Sequence, residues 1–359
     1  MSKNEQIDQS TMLGRLHVGQ VLLAPLVIRE LFLEPVRPVA RDQSDARLGL
    51  ELPDTDGCFW FVLESKSRST PQAIQFAIAQ ARGASSPEER PMIQVPYLSP
   101  ERLEELERER VSGVDLCGNG VVIVPGRLWV KRSGQPNLYP DSRPLNNPYR
   151  GRSAVVARML LMQPRWESLT GLAAGIRDAG TSLSLPQVSK AVQALAEELV
   201  VLKSRGTIML TEPLRVLDQL AREWKRPPIR NRQSLRLAPR DNWQQRLSLN
   251  SQLRWAVTGE SSVSRYATFA QGGPRRIAVS SLSLAQSSLK GIPESVPSFA
   301  DIELLETTEE GFFFANEIEA HGIRWANIVQ TWLELRSGDA RQQEAANDLQ
   351  GLILRGLSQ

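Results

Sequence analysis

Cysteine and histidine are scarce: the 359 residues hold two of each, Cys58, Cys117, His17 and His321. Two cysteines cannot build a disulfide framework, and with the histidines far apart neither a structural zinc site nor a Cys-His nucleophile pair is expected. Any metal here is therefore expected to be a hard cation held by carboxylates: magnesium, manganese or calcium. Long apolar runs are missing as well, the candidates being short stretches such as residues 120–125, so no membrane span is expected. The N-terminal Met-Ser-Lys-Asn-Glu-Gln-Ile-Asp carries acids and amides where a signal peptide needs its apolar segment, which points to the cytoplasm. Fixed-period repeats and low-complexity tracts are absent too.

What is present is enough apolar material for real cores, 41% against 23% charged residues, in a chain long enough for two or three folding units. The formal charge of +3 conceals a segregation. Residues 1–150 hold 18 basic and 19 acidic side chains, 151–240 hold 15 and 7, and 241–359 hold 10 and 14. The middle is thus +8 between flanks of −1 and −4, the electrostatic footprint of a polyanion-binding module. A solvated basic face with a charged linker explains the charge equally well, so pattern must decide.

In the first segment, residues 45–52 alternate apolar and polar and residues 58–63 are continuously apolar, which predicts two strands. The turn formers Pro53-Asp54-Thr55-Asp56-Gly57 join them as an antiparallel hairpin. Ile74, Ala77, Ile78 and Ala81 mark one face of a helix with Thr70 as N-cap and Pro71 in its first turn. A strand at Met92 to Val95, a helix from Ser99-Pro100-Glu101 with Leu103 and Leu106, and strands over residues 113–130 broken at Gly118-Asn119-Gly120 complete a mixed α/β domain.

The middle segment reads as helices at residues 154–162 and 168–177, and a third opened by Ser184-Leu185-Pro186 with Val188, Val192, Leu195 and Leu199 as its buried stripe. Val200 to Lys203, the turn Ser204-Arg205-Gly206 and Thr207 to Leu210 then make a small hairpin, and three helices followed by a hairpin is a winged helix-turn-helix layout. A closing helix spans residues 213–224 with Leu214, Leu217 and Leu220, and residues 226–240 read as a proline-containing basic linker. The last segment has strand-like runs at residues 276–279, 302–305 and 312–315 and helices at 325–335 and 339–354. The expected organisation is therefore a multidomain α/β chain: an α/β domain over 1–150, a winged helix over 151–225, a linker over 226–240 and an α/β domain over 241–359.

The most chemical feature is Leu63-Glu64-Ser65-Lys66, whose spacing of two puts Glu64 and Lys66 on one face of a strand. The hairpin brings Asp45 to within about one residue of them. Asp45 and Glu64 can then hold one or two magnesium or manganese ions that polarise a phosphodiester, while Lys66 positions a water or stabilises developing charge. Glu30, expected on a preceding helix, adds a ligand from the side. The same acid-x-lysine spacing recurs at Glu223-Trp224-Lys225, but on a helix it splays the side chains apart. Position at a strand end, a hairpin partner bearing an acid and a helix immediately after set Glu64 and Lys66 apart from that copy, with a surface salt bridge at a strand end as the competing reading.

Asp45 followed by Glu64-Ser65-Lys66 in this hairpin context resembles the PD-(D/E)xK nuclease superfamily, over roughly residues 10–140. The resemblance implies a restriction-endonuclease-like core and magnesium-dependent DNA cleavage by Asp45, Glu64 and Lys66, although Ser44 stands where a proline often precedes the first acid. Gly113-Val114-Asp115-Leu116-Cys117-Gly118-Asn119 resembles a signature of bacterial proteins that append a winged helix to such a domain; Asp115 and Asn119 are either site residues or turn formers.

On the third helix of the winged-helix candidate, Gln187, Lys190 and Gln193 face away from the buried stripe, with Ser184 and Ser189 near its start; all are base- or phosphate-contacting types. Lys203 and Arg205 sit on the wing, and Arg226, Arg230, Arg232 and Arg236 are expected to trail along a DNA backbone. A winged helix that contacts protein instead is the competing reading. The last third is similar to the carboxy-terminal region of AbiEi-type antitoxins of type IV toxin-antitoxin systems, through residues 256–262, Gln330-Thr331-Trp332-Leu333-Glu334-Leu335 and Arg341, Glu344, Ala345, Ala346 and Leu349. That resemblance implies repression of its own operon and neutralisation of a nucleotidyltransferase-like toxin, although core packing alone explains the same residues. Glu303, Glu306, Glu309 and Glu310 read as a solvated face, and Trp325 and Trp332 as one side of a helix. DNA is the expected partner, with a homodimer expected from the symmetry of DNA readers.

Overall fold

The computed structural model describes residues 7–33, 44–53, 57–139, 147–238, 241–269, 272–319 and 322–357. The turn centre at residues 54–56, the linker end at Pro239-Arg240 and His321 lie outside them. The chain is mixed α/β and divides into two compact units, residues 1–145 and 146–359. Among the described residues no helix is long and apolar enough to cross a membrane.

The first unit opens with α1 (Gln9–Leu13) and then the strands β1 (Val21–Leu23), β2 (Leu26–Leu33), β3 (Ala46–Glu51) and β4 (Phe59–Ser65). After these come α2 (Pro71–Ala84), β5 (Arg90–Val95), α3 (Pro100–Arg108), β6 (Ser112–Asp115), β7 (Gly120–Val124) and β8 (Leu128–Arg132). The eight strands form one sheet in sequence order, antiparallel except for β4–β5 and β5–β6, which the crossover helices α2 and α3 make parallel. Each crossover starts as its sequence dictates: Thr70 Oγ1 accepts from the Ala73 N–H and Ser99 Oγ from the Arg102 N–H, each with a proline in the first helical turn. One sheet face packs Ile93, Val95 and Val121 against Ile74, Ala77 and Ile78 of α2 and Leu103 and Leu106 of α3. The other packs Leu48, Leu50, Phe61, Leu63 and Met92 with Leu13 of α1.

Residues 21–33 correct the sequence reading. They form β1 and β2, so Glu30 lies on a strand, not a helix. Pairing of β2 with β3 along most of its length is what fixes the choice, because an apolar run of this kind carries no period of its own.

The second unit contains α4 (Ala154–Met162), β9 (Arg165–Trp166), α5 (Leu169–Asp178), α6 (Leu185–Glu197), β10 (Val201–Ser204), β11 (Thr207–Leu210) and α7 (Pro213–Glu223). It continues through β12 (Arg232–Leu235), α8 (Trp243–Ser248), β13 (Trp255–Val257), α9 (Glu260–Val263), β14 (Arg275–Val279) and α10 (Leu282–Ser288). The last elements are β15 (Ile302–Glu306), β16 (Glu317–Ile318), β17 (Arg324–Trp325), α11 (Ile328–Arg336) and α12 (Ala340–Gly356). Three helices carry a small sheet ordered β10-β11-β9, and the later strands form a six-stranded mixed sheet ordered β12-β15-β14-β13-β17-β16.

Several expectations for this unit need correction. Arg232–Leu235 is an edge strand paired with β15, so the described part of the expected linker, residues 226–238, does not run free. The run Phe312 to Ala315 is not a strand: Phe312 closes a short 3-10 turn, Glu310–Phe312, and Phe313 to Ala315 continue it as an irregular turn. Trp325 sits on β17 rather than on the helix of Trp332. Leu199 lies beyond α6 with φ +57 and is 38% exposed, and Leu214 is 47% exposed, so neither belongs to a buried stripe.

One core serves both parts of this unit. Val155, Leu160, Val192 and Leu217 from α4, α6 and α7 pack in the same cluster as Trp332, Leu349 and Ile353 from α11 and α12. A fragment of residues 147–225 therefore exposes the core face that Trp332, Leu349 and Ile353 cover. We expect it to show no cooperative thermal transition by circular dichroism while a fragment of residues 147–357 melts cooperatively; equal melting of the two would contradict the shared core.

Candidate active site and nucleic-acid interface

The register of β3 against β4 sets the first site. Ala46 pairs with Leu63, and the Asp45 N–H donates to the Leu63 carbonyl at 3.1 Å, which places Asp45 opposite Glu64 on one sheet face. The Ser65 N–H donates to Asp45 Oδ2 at 2.7 Å, fixing that carboxylate from the neighbouring strand. On the other side of β4, Glu64 stands opposite Ile93 of β5, beneath α2. Its side chain is 1% exposed, Lys66 Nζ donates to Oε2 at 3.1 Å, and Oε1 has no hydrogen-bond partner among the described residues.

A buried carboxyl facing a second carboxylate is costly to ionise. Burial first, and the Asp45 charge second, push the Glu64 carboxyl up to about 7, with Lys66 pulling the other way. The ammonium of Lys66 also lies 5.3 Å from the centroid of the Phe76 ring on α2. Sequence reasoning missed Phe76. Its signal is an aromatic, 60% exposed, off the buried stripe of an otherwise amphipathic helix.

Glu30 does not join this cluster. It pairs with Gly49, which pairs with Trp60, so it shares the sheet face but sits four residues along β4 from Glu64. That is about 13 Å at the rise of a strand, beyond the reach of a shared ion. Among the described residues no group of three or more His, Cys, Asp or Glu converges to hold a metal. Two carboxylates with one buried oxygen left without a partner nevertheless suit magnesium or manganese, which binds through one or two carboxylates and keeps several waters.

Asp115 and Asn119 hold the β6–β7 turn. Asp115 Oδ1 accepts from the N–H groups of Cys117 and Asn119, and Oδ2 from the Leu98 N–H and Asn119 Nδ2, at 2.7 to 2.9 Å. Asn119 in turn bonds the Gln135 backbone, and Gly118 between them takes φ +94. With every acceptor engaged, the turn role accounts for both residues.

The second candidate surface is on α6 and the β10–β11 hairpin. Val188, Val192 and Leu195 are buried, which leaves Gln187, Lys190 and Gln193 exposed on the opposite face and Ser189 half-buried. Ser184 and Gln187 form a capping box: Gln187 Oε1 accepts from the Ser184 N–H at 2.9 Å and from its hydroxyl at 3.1 Å. Gln193 Nε2 donates to Glu197 at 3.3 Å. The hairpin turn is Arg205-Gly206, both at positive φ (+49 and +93), as a two-residue turn matched to strand twist requires. Lys190, Lys203 and Arg205 are exposed and make no ion pair with other described residues. Arg230 and Arg232 go elsewhere: the Arg230 N–H donates to the Glu306 carbonyl, and Arg232 lies on β12 with its guanidinium 3.8 Å from Glu303. Glu303 is also approached by Arg276 and Glu310 is bonded by Arg254, so these acids are ion-paired rather than merely solvated.

Comparison with protein-family models, with curated proteins and with solved structures gives no match for this chain.

The Glu64 environment makes a stability prediction. Near pH 4 the carboxyl is protonated in both folded and unfolded chains and costs nothing. As pH rises toward 7 the unfolded chain loses a proton that the folded one keeps, so folding is progressively disfavoured, and the loss levels off above about 7. With chelator present, Glu64→Gln should therefore be the more stable protein at pH 8, by on the order of 2 kcal/mol, and equal to the parent at pH 4. Calorimetry at the two pH values checks this, and identical melting at pH 8 would contradict it.

Proposed function

We propose that this chain is a DNA-binding protein with a magnesium-dependent endonuclease site, the first unit carrying a restriction-endonuclease-like core of the PD-(D/E)xK type and residues 147–224 forming a winged helix. The observation that carries the reading is the convergence at the end of β4: Asp45 opposite Glu64, Lys66 bonded to Glu64, and a buried Glu64 oxygen without a partner. Supporting it, antiparallel β2, β3 and β4 lead through α2 into parallel β5, an arrangement like that of the nuclease core. The order of α4, β9, α5, α6 and the β10–β11 hairpin likewise supports a winged helix, with α6 as the reading helix and Arg205 at the wing tip.

In this reading Asp45 and Glu64 would hold the divalent cation, which would require Glu64 to give up its proton. The bound ion supplies Lewis-acid polarisation of the phosphodiester and lowers the pKa of a water. Lys66, fixed by Glu64 and 18% exposed, keeps further N–H donors for a phosphate oxygen. The Ser65 N–H holds the Asp45 carboxylate in place before the substrate arrives. Lys190, Lys203 and Arg205 contact DNA phosphates from the reading helix and the wing, while Ser184, Ser189, Gln187 and Gln193 face the groove, Gln187 with only its amide nitrogen free of the capping box.

A second reading is favoured by the absence, among the described residues, of any third ligand beside Asp45 and Glu64. There the protein is an AbiEi-like operator-binding repressor or antitoxin of a bacterial defence or toxin-antitoxin system, its nuclease-like unit a scaffold and its partner a nucleotidyltransferase-like toxin. Incubation with plasmid DNA and magnesium or manganese separates the two. Cleavage that chelator abolishes, and that falls at least about 100-fold in Glu64→Ala and Lys66→Ala, is expected. Persistent cleavage in both variants would misplace the site, and DNA retardation without cleavage would favour the repressor. Under either reading Lys190→Ala and Arg205→Ala should each weaken DNA binding several-fold and reduce its salt slope by about one.

A further inference from the structure

A cleft in the second unit lies outside both candidate sites. It holds about 150 Å³ and is bounded by the segment after α7, the β13–α9 turn, β14, β15 and α11. That volume is well below the roughly 300 Å³ of a drug-sized pocket, so it takes one base-sized group with the rest of a ligand projecting. Trp224, Ile229 and Phe312 give it an apolar side.

On the floor is the half-buried Glu334 carboxyl of α11, raised above the ordinary carboxylate range by desolvation. Thr258 Oγ1 donates to Glu334 Oε2 at 2.6 Å, and so does the Gly259 N–H. Gly259 sits at φ +61, ψ −142, a conformation open to glycine, and a Cβ there would stand 3.8 Å from Glu334 Oε2 and 4.0 Å from Arg276 Cδ. The backbone is thus bent to present its N–H to a half-buried acid while leaving the space beside it clear. An acid at the floor of a cleft, held by Thr258 and Gly259 on one oxygen, is placed where a ligand's N–H groups can reach it.

Three arginines complete the lining. Arg232 and Arg276 approach the single Glu303 at 3.8 and 3.5 Å, and Arg226 stands close enough to Glu334 for its charge to favour the ionised carboxylate. Three guanidiniums against the two carboxylates Glu303 and Glu334 leave donors for an anionic group at the mouth. An apolar slot for one ring system, a carboxyl that accepts N–H groups and arginines suited to phosphate lie together in this one cleft.

We propose that this cleft binds a free mononucleotide, its base against Trp224 with its N–H edge toward Glu334 and its phosphate at Arg226, Arg232 and Arg276. Guanine, which offers adjacent N–H donors, suits the carboxyl better than uracil. The proposal is independent of whether the chain cuts DNA.

Calorimetric titration of the full chain with GMP, UMP and inorganic phosphate tests it. GMP should bind with a Kd below about 1 mM, with UMP and phosphate at least tenfold weaker. Arg226→Ala and Arg276→Ala, at exposed positions, should each weaken GMP at least tenfold, and Glu334→Gln, which retains an acceptor for Thr258 and Gly259, should remove the preference for GMP over UMP. No binding of GMP, equal binding of inorganic phosphate, or undiminished binding in both arginine variants would overturn the assignment. A short single-stranded oligonucleotide that binds in place of GMP and is lost in the same variants would overturn the free nucleotide as occupant.

Discussion

The pairing of β3 with β4 is the constraint on which the first unit's chemistry depends. Because side chains alternate along a strand, the match of Ala46 with Leu63 decides at one stroke that Leu63 enters the core and that Glu64 faces Asp45. A slip of one residue would bury Glu64 among Leu48, Phe61 and Met92 and turn Leu63 toward α2. The apolar face therefore enforces the position of the polar one. Burial of Phe61 and Leu63 holds two carboxylates close against their mutual repulsion, and the Glu64 carboxyl answers by retaining its proton up to about 7. Lys66 and the Ser65 N–H offset part of that cost without removing it.

A different economy governs the second unit. Its three-helix portion does not close its own core but takes Trp332, Leu349 and Ile353 from α11 and α12. Arg158, 4% exposed on α4, donates to Gln330 Oε1 on α11 at 2.8 Å, and burial holds its guanidinium down to about 10 even with Glu309 and Glu334 nearby. Gly311 passes against that guanidinium where any side chain would collide. A buried charge with so few partners costs stability, and what it adds is a unique fit of α4 on α11. α6 and the β10–β11 hairpin are thereby held by the same core that packs α11, the helix carrying Glu334.

Much of this was legible in the sequence wherever the code is local. Thr70-Pro71 and Ser99-Pro100 announced their helices, the alternation before Glu51 and the apolar run after Gly57 announced the pairing of β3 with β4, and Arg205-Gly206 announced the β10–β11 hairpin. From these, the juxtaposition of Asp45, Glu64 and Lys66 follows to within a residue. What escaped was non-local. Residues 21–33 are apolar without a clear period, and only pairing with β3 makes them strands, which moved Glu30 from an expected flanking helix to a position far along the sheet. Arg232–Leu235 has the composition of a linker and becomes a strand through β15, some seventy residues later. Phe312 to Phe314 look like a strand because they are apolar, but they are buried in an irregular turn. The cleft around Glu334 gathers residues more than a hundred positions apart, which no spacing rule joins.

The central claim is that Asp45 and Glu64 form a divalent-cation site, and direct measurement of manganese binding to the full chain tests it most simply. Electron paramagnetic resonance of a manganese titration should show one or two bound ions, lost in Glu64→Gln and in Asp45→Asn and unchanged in Glu30→Gln. Binding that survives in both of the first two variants, or that is absent from the parent protein, would contradict the account and leave the carboxylate pair as structure alone.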